Sequence, residues 1–169
     1  MRRFSCDCGN VLFFGSTRCL ACGIEVGFSP RRGNMEKLDS RGGLKRCANG
    51  IRYDICNWTT DGENADDLCI SCRMNQMVPD LNRPQNIFLW ARMESAKRRL
   101  IYTLLRLGIY IPTKKDDPQE GLAFEIASTL LNSSVTTGHL NGIITMNLEE
   151  ADDTYRQINR QMLGETKRT

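Results

Sequence analysis

Cys6-Asp7-Cys8-Gly9 and Cys19-Leu20-Ala21-Cys22-Gly23, with ten residues between Cys8 and Cys19, decide how the front of this chain folds. Two short cysteine pairs at this spacing suit a ribbon, in which two knuckles carry four thiolates to the corners of a tetrahedron around a metal ion. Glycine follows each pair, at Gly9 and Gly23. It enters left-handed backbone geometry without strain, and that turn aims backbone N–H groups at the sulfurs. Val11-Leu12-Phe13-Phe14-Gly15-Ser16-Thr17 is an apolar run ending in turn residues, as a hairpin arm should be.

A second set is spaced more loosely. Cys47 and Cys56 stand apart, while Cys69-Ile70-Ser71-Cys72 is a regular knuckle. Asn49-Gly50 offers a tight turn after Cys47, and Ile51, Tyr53 and Ile55 alternate like a short strand leading to Cys56. We therefore expect two metal sites, Cys6, Cys8, Cys19 and Cys22 in one, and Cys47, Cys56, Cys69 and Cys72 in the other. Grouping in sequence order closes compact loops at lower entropic cost, and an interleaved cross-brace is the alternative. Catalytic zinc keeps a coordination position open for water, whereas four thiolates close the site. The expected cofactors are thus two structural Zn2+, with iron as a substitute that a four-sulfur site also accepts.

All eight cysteines fall at or before Cys72, so the composition of the 169-residue chain changes sharply there. A secreted disulfide framework would use as many cysteines. A secretory signal needs an apolar run after its basic start, however, and Met1-Arg2-Arg3-Phe4 leads at once into Ser5 and Cys6. No stretch is apolar for long enough to span a membrane. The expectation is a soluble protein in the reducing cytoplasm, where clustered thiols hold metal more often than each other. Hydrophobic residues at 40% and charged residues at 25% are ordinary for a globular chain.

A net charge of +3 with a pI near 8.5 does not demand a nucleic-acid partner. Between the cysteine sets, Arg31, Arg32, Arg41, Lys45 and Arg46 read as a flexible basic connector, able to grip phosphates but lacking interleaved aromatics. Beyond the cysteines, Asn82-Arg83-Pro84 suits a capped helix start. Trp90, Met93, Lys97, Leu100, Ile101, Leu104 and Leu105 then recur at helical spacing up to Gly108. Lys97-Arg98-Arg99 reads as the wet face of that helix, and Trp90 and Met93 as core.

After Lys114-Lys115-Asp116-Asp117-Pro118, the run Leu122–Ala127 reads as a strand, with helix as the alternative. Asn141-Gly142 is a strong hairpin signal ahead of the strand formers Ile143–Met146. Asn147 then caps a helix, with Glu150 completing the capping box, and Leu148, Ala151, Tyr155, Ile158 and Met162 form its stripe before Gly164. His139 is the only histidine, and a lone histidine is usually a structural hydrogen-bonder. No nucleophile triad or phosphate-binding glycine loop occurs, so no catalytic residue is assigned.

The fold class expected is α+β. It comprises a first zinc ribbon (1–30), the basic connector (31–46), a second zinc module (47–80), a long amphipathic helix (82–108) and a strand, hairpin and helix unit (119–169).

Several segments together resemble one family. They are Phe4–Phe14, Cys19–Gly23, Cys56-Asn57-Trp58, Leu68–Arg73, Leu89–Glu94, Ala96–Leu100 and Thr137–Leu148. In combination they are similar to the bacterial zinc-ribbon metallopeptidases. The resemblance implies a His-Glu-x-x-His helix shortly beyond the region that ends here at Thr169, and this sequence has no such motif. It implies the front part of such a protein, whose partner would be its own downstream catalytic domain or another protein. Hydrolysis by zinc needs an open metal site and a base beside it, so this chain should not cleave peptides by itself. The competing readings are a stand-alone nucleic-acid-binding ribbon and a scaffold that forms oligomers through its helix stripe. No membrane partner is expected.

Overall fold

A computed structural model describes residues 2–38, 44–60, 64, 66–128 and 137–162 of the chain. The chain divides into two compact units, residues 1–73 with 94–110, and residues 74–93 with 111–169. The fold is α+β, with both cysteine groups in the first unit.

In the first unit β1 (Phe4–Ser5) pairs antiparallel with β2 (Val11–Leu12), Phe4 opposite Leu12. This short ladder squares off the knuckle that carries Cys6 and Cys8. A second hairpin, β3 (Val26–Ser29) with β4 (Asn34–Lys37), follows the other knuckle. All of β3 is buried, since its Phe28 is the hub of the unit's core. The Phe28 ring lies 5.1 Å from those of Phe14 and Trp58 and 5.4 Å from that of Tyr102. Tilted and edge-on pairs of this kind add about 0.5–1.5 kcal/mol each beyond area burial. Asn57 ties the same core to the first ribbon, donating to the Phe14 carbonyl at 2.7 Å.

Two parts of this unit depart from the sequence reading. The basic connector is partly ladder, for it contains β4 and also β5 (Lys45–Arg46), which pairs with β6 (Thr59–Thr60). Arg41 and its glycine neighbours lie outside the described residues. The segment after Cys47 is α1 (Ala48–Tyr53), not a turn and strand. The alternation of Ile51, Tyr53 and Ile55 misled because Asp54 turns the chain at φ 54°, leaving Ile51 exposed and Ile55 buried. A short helix with a left-handed end reverses direction quickly, which brings Cys56 back towards Cys47. The knuckle helix α2 (Ile70–Arg73) completes the set.

Helix α3 (Pro84–Arg106) has 23 residues, giving a rod of about 35 Å. Pro84 opens it, and the Ile109 N–H closes on the Leu104 carbonyl at 3.0 Å just past its end. Asn82 does not cap it with an accepting oxygen. Its side-chain amide instead donates to Asp80 at 3.0 Å. The stripe differs from the expected one as well. Trp90 and Ile101 are buried and Leu100 is exposed, while Glu94, Lys97 and Arg98 are all buried. Lys97 and Arg98 are therefore not part of a wet face. Both have partners inside the unit, the Glu94 carboxylate for Lys97 and the Ile55 carbonyl for Arg98.

The second unit is built on a four-stranded sheet in the order β7-β8-β10-β9, from Asn75–Met77, Ala123–Ala127, Ile143–Asn147 and Gly138–Leu140 respectively. β8 pairs parallel with both β7 and β10. Parallel neighbours need a long crossover, and the β7–β8 connection contains α3. Residues 75–77, expected within the second zinc module, thus belong to this sheet. The run 122–127 is a strand, buried at Phe124 and Ile126. Asn141 and Gly142, at φ 48° and 77°, make the tight hairpin between β9 and β10, where a type I′ turn needs positive φ at both positions.

Asn147 caps a single 3-10 turn, Leu148–Ala151, accepting from the Glu149 N–H at 3.0 Å. The continuous helix expected there is broken. Asp152 starts α4 (Asp153–Met162) by accepting from the N–H groups of Thr154 and Tyr155. Glu150 turns away from the cap and accepts from the Thr137 hydroxyl at 2.7 Å. Gly164 lies outside the described residues.

Candidate metal centres

The eight sulfurs group in sequence order. Those of Cys6, Cys8, Cys19 and Cys22 lie within 4.8 Å of one another, and so do those of Cys47, Cys56, Cys69 and Cys72. The hairpins and knuckles do this locally. Gly9 and Gly23, at φ 84° and 75°, close the two turns of the first set, with their N–H groups on the carbonyls of Cys6 and Cys19.

Sulfur separations identify the chemistry. Cys6 to Cys22 is 3.7 Å, Cys8 to Cys19 is 3.6 Å and Cys56 to Cys69 is 3.7 Å. A disulfide would bring sulfurs to about 2.0 Å. Four sulfurs placed tetrahedrally about 2.3 Å from a zinc ion would be about 3.8 Å apart along each edge. Both sets thus have the dimensions of a four-sulfur metal cage. Among the described residues no other group of His, Cys, Asp and Glu is arranged to share an ion.

The two cages differ in shelter. In the first, Cys19 is buried while Cys8 and Cys22 are exposed; in the second, all four cysteines are buried. Backbone N–H groups of Cys22 and Ala21 pull the Cys19 thiol down to about 6, and the Asn10 amide lies 3.6 Å from its sulfur. In the second cage the neighbouring thiols of Cys56, Cys69 and Cys72 hold Cys47 in its thiolate form, aided by the Cys69 N–H at 3.3 Å. Burial pushes Cys69 up, and the contact with Cys47 pushes Cys72 up. Crowded thiols thus resist ionising together. A divalent ion at the centre removes that restriction and ionises the rest.

Sequence reasoning missed a buried ion pair beside the second cage. The Lys97 Nζ donates to Glu94 Oε1 at 2.7 Å, and Glu94 Oε2 lies 3.9 Å from the Cys72 sulfur. The group recorded against the sulfur is the carboxylate, and the Lys97 ammonium on its other oxygen offsets the charge that the carboxylate would otherwise bring, buried, beside the cage. The available signal was a Glu-x-x-Lys pair, at helical spacing, inside an otherwise apolar stripe.

The remaining candidates fare differently. Arg32 pairs with Glu36 at 2.9 Å and Arg46 with Asp54 at 2.6 Å, so two of the connector's cations have carboxylate partners. His139 lies exposed on the edge strand β9, opposite Ile144. No helix among the described residues is long and apolar enough to cross a membrane.

Comparison with known families agrees with this geometry. Residues 3–83 match the model of a zinc-ribbon domain, and residues 86–169 match that of a family described as a putative zinc-binding metallo-peptidase. The chain joins a zinc-ribbon domain to a region of that metallo-peptidase family. Three mycobacterial relatives, two from Mycobacterium tuberculosis and one from Mycobacterium bovis, are each named as an uncharacterized protein and are 38% identical to it over 170 residues. The match covers all of this chain and 49% of each relative, so the chain spans about half the length of the curated relatives it matches. No solved structure matches. Both four-cysteine groups, the metal-ready residues of this chain, lie within the zinc-ribbon match.

Proposed function

We propose that this chain is a structural zinc-binding region of a metallopeptidase, holding two Zn2+ in closed sites and doing no hydrolysis itself. The observation that carries the reading is that each cage already supplies four sulfurs. A zinc ion with four thiolates has no position left for water, so it can neither lower the pKa of water nor polarise a carbonyl. The metal acts on folding instead, because its binding free energy is gained only when the ligands come together.

The role that fits such a region is recognition or scaffolding for a peptidase catalytic part or another protein, in a reducing, cytoplasmic setting where the thiols stay available. X-ray absorption of the zinc-loaded chain tests the reading. Four sulfur neighbours at about 2.3 Å, with no nitrogen or oxygen, are expected. One or more light-atom ligands, together with hydrolysis of a casein substrate by the same preparation, would overturn it.

A further inference from the structure

One recess of the first unit has a charge composition that neither the cages nor the core explains. It has a volume of about 260 Å³, and its wall includes Arg2, Arg3, Phe13, Asn57, Arg98 and Arg99 but no carboxylate. Four arginines line this small space. None takes part in the ion pairs found among the described residues.

Arg98 is the decisive member. It is 8% exposed, and its guanidinium donates to a neutral acceptor, the Ile55 carbonyl, at 2.6 Å. A buried cation with only a carbonyl partner keeps most of its charge uncompensated. Arg2 is held by an aromatic ring, its guanidinium carbon 6.0 Å from the Phe4 centroid, which again leaves the charge unpaired. Such a recess focuses positive potential, and an entering oxyanion relieves the mutual repulsion of the four groups. Arginine also has the planar fork that matches phosphate oxygens two at a time.

Phe13 gives the recess a second property. Phe13 is 67% exposed, while its neighbours along the chain and in the ribbon core, Phe4, Phe14 and Phe28, are buried. The turn that presents it is fixed, with the Phe13 N–H on the Ser16 hydroxyl at 3.0 Å and the Ser16 N–H on the Phe13 carbonyl at 2.9 Å. A rigid exposed ring beside a cluster of arginines is a stacking platform beside a phosphate grip.

We propose that this recess binds a nucleotide phosphate through Arg3, Arg98 and Arg99, with the attached base stacked on Phe13. The nucleotide comes free or as part of a single strand; both present the same phosphate and base. The site is separate from the connector's basic residues and does not depend on any peptidase activity.

The test is fluorescence anisotropy of a short fluorescein-labelled oligothymidylate with the zinc-loaded full chain. Replacing Arg3→Glu and Arg99→Glu together, both exposed in the free protein, should weaken binding roughly tenfold or more. Phe13→Ala should weaken it at least about fivefold. Lys37→Glu, an exposed charge reversal on β4, should leave binding unchanged. Zinc content and melting temperature are to be measured for each variant, so that a loss through unfolding is recognised. If Arg3→Glu with Arg99→Glu fails to fold, Phe13→Ala and Arg99→Gln carry the same comparison. Competition by thymidine monophosphate assigns the free nucleotide, and competition by unlabelled strand alone assigns the single strand; either sustains the proposal. Equal binding by the variants, an equal loss in Lys37→Glu, or stronger displacement by an oligoglutamate peptide than by any nucleotide would overturn it.

Discussion

The Lys97 ammonium and the Glu94 carboxylate, 2.7 Å apart on consecutive turns of α3, are both closed off from water beside the second cage. Removing one partner of such a pair strands the other's charge, which typically costs about 3–5 kcal/mol. Lys97→Met should therefore destabilise the zinc-loaded chain by that order, measured by denaturant unfolding. Glu94→Gln combined with Lys97→Met should recover part of the loss, because the carboxylate charge that faced the ammonium is then removed with it.

The two cages should release metal at different rates. Cys8 and Cys22 of the first are exposed, and every cysteine of the second is buried. Challenge with a coloured chelator should give a fast phase and a slow phase of equal amplitude. Cys22→Ser should abolish the fast phase and leave the slow one, and the opposite pattern would reverse the assignment.

Asp153 answers to pH. Hydrogen bonds from Arg92, at 2.9 Å, and then from Arg156 hold its carboxyl below the usual carboxylate range. A depressed folded-state pKa contributes stability above the unfolded carboxylate value and loses it as pH falls through the folded value. Arg92→Ala should raise the Asp153 titration midpoint towards the usual carboxylate range, read by carbon NMR of the side chain, and shift the acid edge of α4 unfolding upward.

Gly142 closes the β9–β10 hairpin at φ 77°, where a side-chain carbon would meet the Gly121 carbonyl oxygen at 2.4 Å. Gly142→Ala should cost about 1–3 kcal/mol through backbone strain alone, before the collision is relieved. Thermal unfolding of the variant measures it.

How legible these features were depends on how local their causes are. The first knuckles, the Asn141-Gly142 hairpin and the span of α3 are set by residues a few positions apart, and their patterns stand in the sequence. Three features depend on pairing, chain reversal or burial that a local pattern does not display. β7 forms because β8 pairs with it some fifty residues later. Ile51–Ile55 alternates like a strand, yet bringing Cys56 back towards Cys47 favours a helix with a left-handed end at Asp54. Lys97 and Arg98 look like a solvated face until Glu94 and the Ile55 carbonyl are placed opposite them. In the cages, which cysteines group together was readable, while the unequal burial of the two sets and the ion pair beside the second were not.

The most direct test of two closed structural sites is native mass spectrometry of the chain purified under reducing conditions. The account predicts two zinc ions per chain, falling to one in Cys19→Ser and to one in Cys72→Ser, with the residual ion held by the other cage. A chain that folds with no metal, or loss of both ions on mutating Cys19 alone, would contradict it.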